Sequence, residues 1–384
     1  MLFNIFINDL FDNLPYGGVD IPCSGPGSLS IPGLLFANDA LGLAPSLPAL
    51  GELCDHITAW STDNEMQVGI QKCGLMEFGV NGYGGDLDTD VLTGCGLCLS
   101  GVPVPVVEEY LYLGVTVTRS LSTAALIKPR LESGRKTVYS LAPFLRCPVV
   151  PLSSRLQVIR GVVLPRLLYG AEIYGMNRAL TDVMQRHLNS ALRSLVQTES
   201  WSGLPSYGLW KEFNIKPICA LAAGRRIRAF LKCFSLSTWV KRLVENPLST
   251  RKWTWVTGVG RWTMRQCPQH SPLDKEDWRE WRHWSPAIAK THVEEAICCR
   301  EYKICRVGYR ARPETAWYVN GQYDESPLHR PHSAYVPKLN PGIALIVRFR
   351  LGAFATTDQL LSWSKLPPEW NNRCPCCRAR TTED

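Results

Sequence analysis

The sequence predicts an α+β protein, with hairpin strands and one helix in front and a mainly helical body behind. Three observations carry that prediction. Over the first 120 residues, short apolar runs are broken by Gly, Asn and Asp, which is how strands and turns are written. From about residue 121 the apolar residues recur every three or four positions, as they do on helices with one buried face. The charge divides at the same place: residues 1–120 carry 14 acidic groups against Lys72 and Arg119, a net of −12, and residues 121–384 carry 40 basic and 20 acidic groups, a net of +20.

At 384 residues the chain is long enough for two or three domains with their own cores. Its hydrophobic content of 45% and charged content of 20% are ordinary for a globular protein. No apolar run approaches the ~18 residues that span a bilayer, so no membrane partner is expected. The opening MLFNIFINDL lacks a basic leader and carries Asn8 and Asp9, so secretion is not expected. Fifteen scattered cysteines, odd in number, read as reduced thiols buried as small hydrophobes, which points inside the cell.

Taken in order, LLFANDALGLAPS (34–46) reads as a hairpin, with Leu34 to Phe36 leading in, Ala37 to Ala40 at the corner, and Leu41 and Leu43 leading out. Such a tip either holds a metal ion or is only a turn. Leu47, Leu50, Leu53, Cys54, Ile57 and Trp60 follow at helical spacing. Leu75–Phe78 is strand-like, 81–90 is a Gly/Asp-rich turn region, and Val102–Val107 and Tyr110–Val117 read as strands. In the body, Leu156, Ile159, Val162 and Val163 make one stripe ending near Pro165. Leu180, Met184, Leu188, Ala191 and Leu195 make a cleaner one with Arg186 and Arg193 turned outward. GRRIRAFLKCF (224–234) adds a basic helix bearing Arg225, Arg226 and Arg228. Six of the thirteen tryptophans lie in 251–284, and 311–341 reads as a linker.

The order LFNIFINDL, LLFANDALGLAPS, MQVGIQKCGLMEF and EEYLYLGVTV resembles the palm of a LINE-type reverse transcriptase, encoded by non-LTR retrotransposons. PLSSRLQVIRGVVLPRLLYGAEIYG (151–175) resembles the thumb of the same proteins, and RFRLGAF followed by CPCC resembles their zinc-finger tail. The resemblance runs along most of the chain and is weak between 235 and 340. It implies a partial palm over 1–120, a thumb-like helical region over 121–250, a Trp-rich and linker region over 251–340, and an incomplete zinc-finger-like tail over 341–384. RNA-directed DNA synthesis is the activity it implies, RNA and DNA the partners, and the nucleus the location.

The same resemblance assigns the site. Polymerases of this kind hold paired Mg²⁺ ions on carboxylates over the primer hydroxyl and the incoming triphosphate, and Mg²⁺ prefers anionic oxygen. Phe36, Ala37 and Asp39 match the family's Phe-Ala-Asp-Asp turn, and Asn38 stands where the first metal-ligating Asp belongs. An amide loses the charge and the bidentate option, leaving Asp39 as the one carboxylate on the turn. The family's other catalytic Asp belongs upstream of the motif that begins here at Met1. The resemblance therefore implies an impaired catalyst. Lys72 matches the family's general acid toward pyrophosphate, although Gly69 replaces the usual Asn before it. Tyr112 and Gly114 match the hairpin that grips the primer, Tyr112 with Leu113 as core and Gly114 in the turn.

Cys374 and Cys377 sit at the spacing of two tetrahedral zinc ligands, and RTTED (380–384) follows without the family's later His and Cys, so Zn²⁺ has half a site. Cys95 and Cys98 lie i, i+3 on an extended segment, where they point to opposite faces, and lack a second pair nearby; His292 with Cys298, Cys299 and Cys305 is not expected to hold a metal either. The alternative to an enzyme is a non-catalytic nucleic-acid-binding protein, whose contacts would come from Arg186, Arg193, Arg225, Arg226 and Arg228 and from tryptophans stacking on bases. A relic reading frame with no selected function is the third option.

Overall fold

The computed structural model describes residues 2–21, 29–78, 94, 96–196, 206–247, 254–267, 283–311, 336–351, 361 and 367–370. The fold is α+β and mainly helical. Its described strands form four separate antiparallel hairpins: β1 (Val19–Ile21) with β2 (Leu29–Ile31), β3 (Gly33–Phe36) with β4 (Asp39–Gly42), β5 (Cys98–Leu99) with β6 (Val102–Pro103), and β7 (Glu109–Tyr112) with β8 (Val115–Thr118). No described helix is long and apolar enough to cross a membrane.

Two compact units divide the chain. The first comprises 1–130, 170–176 and 224–291; the second comprises 131–169, 177–223 and 292–384. In the first unit the expected helix after the hairpin is Leu47–Asp63. Its start is fixed by Ser46, whose hydroxyl accepts the Ala49 amide at 3.4 Å, and by Pro48 in the first turn, where no amide donor is needed. The inward face of this helix packs Cys54 with Leu75, Leu99 and Val104. Leu75 lies there through a single parallel bridge to Val106, with the Leu75 amide donating to Pro105 O and the Val107 amide to Leu75 O, both at 2.9 Å. The strand expected over Leu75–Phe78 is thus one bridged residue, because a lone bridge on either side of Leu75 satisfies its amide and carbonyl and no ladder continues.

The second unit is helical. Arg178–Leu195 starts at Asn177, whose side chain accepts the Leu180 amide at 3.3 Å, and it buries Met184, Leu188, Ala191 and Leu192 completely. Leu152–Val158, a π turn over Ile159–Val163 and Leu164–Leu167 form one path with Ile159, Val163 and Leu167 fully buried. The stripe expected to stop near Pro165 continues to Leu167. The ring falls in the first turn of the last segment, where a proline's missing N–H is not required, and the wide turn before it relaxes the ladder. The tail segment 344–350 lies in helix Asn340–Arg350, whose first side chain donates to Pro148 O at 2.7 Å and Val150 O at 2.9 Å.

Candidate functional site

The β3–β4 hairpin pairs Phe36 with Asp39, so the turn is only Ala37–Asn38 and Asp39 opens the second strand. The corner expected over four residues is therefore a two-residue loop. Such loops match the twist of their strands only if a central residue takes a positive φ, and Ala37 does so at 51°. Alanine pays for that conformation, while Asn38 and Asp39 stand exposed at the tip.

The β7–β8 hairpin closes in the same way. Tyr112 pairs with Val115, leaving Leu113 (φ 47°) and Gly114 (φ 71°) as the loop. Leu113, expected as core beside Tyr112, is a turn residue with its side chain half-buried. Strand alternation sends Tyr110 and Tyr112 to one face and Glu109 and Leu111 to the other, where both are exposed. The Tyr110 hydroxyl donates to the Lys72 carbonyl. Burial raises both phenol pKa values; the negative charge of Asp39 raises both further, after the Cys73 sulfur in the case of Tyr110. Asp39 is thus within electrostatic reach of both rings, and the two hairpins and the 70–72 turn converge on one small surface of the first unit. Gly74 is tightly enclosed there, a Cβ on it falling 2.9 Å from Val107 and 3.2 Å from Tyr110.

The site residues expected from sequence fall into groups. Asn38, Asp39, Lys72 and Tyr112 belong to this surface, with the Lys72 side chain exposed. Tyr110 was not among them, although the i, i+2 spacing of the tyrosines in EYLYLG puts it on the same face as Tyr112. Among the described residues no three His, Cys, Asp or Glu side chains converge on one point. A neutral amide beside a single carboxylate does not fit a two-metal cage. Asp9, further along the unit, accepts the Trp60 indole N–H at 3.0 Å. Cys374 and Cys377 lie outside the described residues, as does Cys95; of the other cysteines considered for metal, burial holds the Cys298 thiol up to about 12.

The arginines divide sharply. Arg186 and Arg228 are exposed. Arg193, expected to face outward, is half-buried, and burial lowers its pKa. Arg226 is structural: its guanidinium donates to Ile173 O at 2.8 Å and Trp255 O at 3.3 Å, lies 5.8 Å from the Trp255 ring centre, and burial lowers its pKa to about 10. Two of its five N–H donors are thus held by backbone carbonyls and its Nε is buried, which ties the side chain to the fold. Arg225 is half-buried beside Tyr174. Trp255 likewise belongs to the fold, its indole donating to Glu172 O at 2.9 Å. No family model and no curated protein sequence matches this chain.

Proposed function

We propose that the chain is a LINE-type reverse-transcriptase relative that holds nucleic acid without performing metal-dependent nucleotide transfer. The observation that carries this is the meeting of the Ala37–Asn38 hairpin tip, Asp39, Tyr110 and Tyr112 on one surface of the first unit. That is where the resemblance expects the catalytic turn to face the primer-gripping hairpin. The tip carries one carboxylate and one neutral amide. One negative charge repels an incoming triphosphate less than two, yet gathers far less cation charge over it. A first-side-chain loss of this kind costs orders of magnitude in rate, at about tenfold per 1.4 kcal/mol. The exposed arginines Arg186 and Arg228 and the net +20 of residues 121–384 support binding of polyanions.

A primed RNA template with labelled deoxynucleotides tests the proposal in two arms. Extension is expected to stay at background in Mg²⁺ and in Mn²⁺. Binding of the same primed template is expected, with log affinity falling linearly with log salt, by roughly 10³ or more between about 50 and 200 mM for six or more phosphate contacts. Robust templated incorporation overturns the loss of transfer; absent or salt-independent binding overturns the nucleic-acid assignment.

A further inference from the structure

A cleft of about 560 Å³ opens on the second unit between helix Thr123–Arg146 and helix Arg178–Leu195. One wall carries Arg135, Tyr139 and Arg146, the other His187, Ser190 and Ser194, and no acidic side chain among the described residues lines it. On the first wall the three residues stand at i, i+4 and i+11, one face of the helix, with the backbones of the two arginines about 16 Å apart along the axis. On the other, His187, Ser190 and Ser194 stand at i, i+3 and i+7, again one face.

Two features are unusual for a surface that serves only the fold. Tyr139 is 84% exposed, so its ring contributes almost nothing to the core. Arg135 is exposed and makes no ion pair among the described residues, although it sits near enough to His187 to disfavour that ring's protonation. A cationic group, an open aromatic face and a second exposed cationic group follow one another along a trough, faced by the exposed Ser190 hydroxyl. The spacing is too long for one phosphate group and suits non-adjacent phosphates of an extended strand, with an intervening base left to meet Tyr139.

We propose that this cleft binds a single strand of nucleic acid, with phosphates at Arg135 and Arg146 and a base stacked on Tyr139. This rests on the nucleic-acid assignment above and gives it an address. A duplex keeps its bases stacked on each other and offers no free face to Tyr139, whereas an unpaired base does. The exposed Ser190 supplies a hydroxyl that donates to phosphate or to a base edge without selecting sequence, while the buried Ser194 hydroxyl donates to Ser190 O at 3.2 Å and belongs to the helix. The cleft therefore discriminates strandedness, and its sequence preference is weak.

Fluorescence anisotropy with the full chain tests this, using a labelled oligodeoxythymidine of about 12 nucleotides, within the usual site sizes of single-strand binders. A blunt duplex of equal length is the comparison. Tyr139→Ala is expected to weaken single-strand binding about tenfold, Tyr139→Trp to keep it, and Arg135→Gln to weaken it and lower the salt slope by about one. Duplex affinity should change less than twofold in the Tyr139→Ala variant. In the unmodified chain, ultraviolet crosslinking of a bromodeoxyuridine strand should mark peptides carrying Tyr139, which reads the contact without any substitution. Single-strand binding that survives Tyr139→Ala unchanged, or crosslinks that avoid 135–146 and 187–194, overturn the cleft while leaving the nucleic-acid assignment standing. Failure of the unmodified chain to bind either strand form overturns both.

Discussion

Arg226 and Arg228 are two residues apart, read identically in the sequence, and do opposite things. Helical geometry turns them about 200° from one another, so one meets the carbonyls of Ile173 and Trp255 and the other meets water. Arg226→Lys keeps the charge but loses the planar fork, and is expected to cost about 1–3 kcal/mol in thermal or denaturant unfolding by stranding buried carbonyls. Arg228→Gln should leave stability within about 0.5 kcal/mol and lower the salt slope of oligonucleotide binding by about one. The side-chain type of each candidate was legible in the sequence; its occupation by backbone carbonyls was not, because those partners lie 29 to 53 residues away. Ala37 shows the reverse case, where the local pattern reveals a loop but hides its strain. Ala37→Gly should stabilise by up to about 1 kcal/mol and Ala37→Val should destabilise by about 1–3 kcal/mol, both read from the unfolding midpoint. His187 supplies a pH dependence. Burial, then Arg186 and Arg135, hold its pKa below the unfolded value of about 6.5. Between those two values the unfolded chain binds more protons, so stability is full above about pH 6.5 and falls as pH drops through the folded value. His187→Gln should flatten that part of a melting-temperature profile.

Among the elements, hairpins and the two amphipathic helices announce themselves locally, through alternation, Ser46 and Asn177 caps and three-and-four spacing. What stayed hidden are contacts fixed by close approach. A Cβ on Gly134 of helix Thr123–Arg146 would lie 2.4 Å from Leu167 Cδ2, and Leu167 is completely buried. Gly134→Ala is therefore expected to cost about 1–3 kcal/mol by overpacking, against the usual gain of alanine over glycine in a helix. In the same unit, the fully buried Glu212 of helix Ser206–Glu212 accepts from Arg350 Nε at 2.9 Å across to helix Asn340–Arg350. Removing either partner alone strands a buried charge, and Glu212→Leu or Arg350→Met should each cost about 3–5 kcal/mol in denaturant unfolding. The paired substitution should recover most of that loss. The 152–167 path runs past Pro165 because the π turn over Ile159–Val163 resets the count just before the ring, which then falls in a first turn and not in a helix interior.

At the scale of the molecule, composition reports charge and not placement. The net +20 of residues 121–384 was plain, but it is spread over parts of both compact units, since 224–291 belongs with the acidic first 130 residues. Periodicity gives no sign of that interleaving, because it is local and the units are assembled from distant stretches. The chain crosses from one unit to the other five times, after residues 130, 169, 176, 223 and 291. A ribosome adding about 5–20 residues per second reaches residue 224 some 5–20 seconds after residue 130. For that interval the nascent hairpins lack the stretch that completes their unit, and Arg226 and Trp255 arrive only then to close on Glu172 and Ile173. The order of birth along this chain is therefore not the order in which its first unit can be completed.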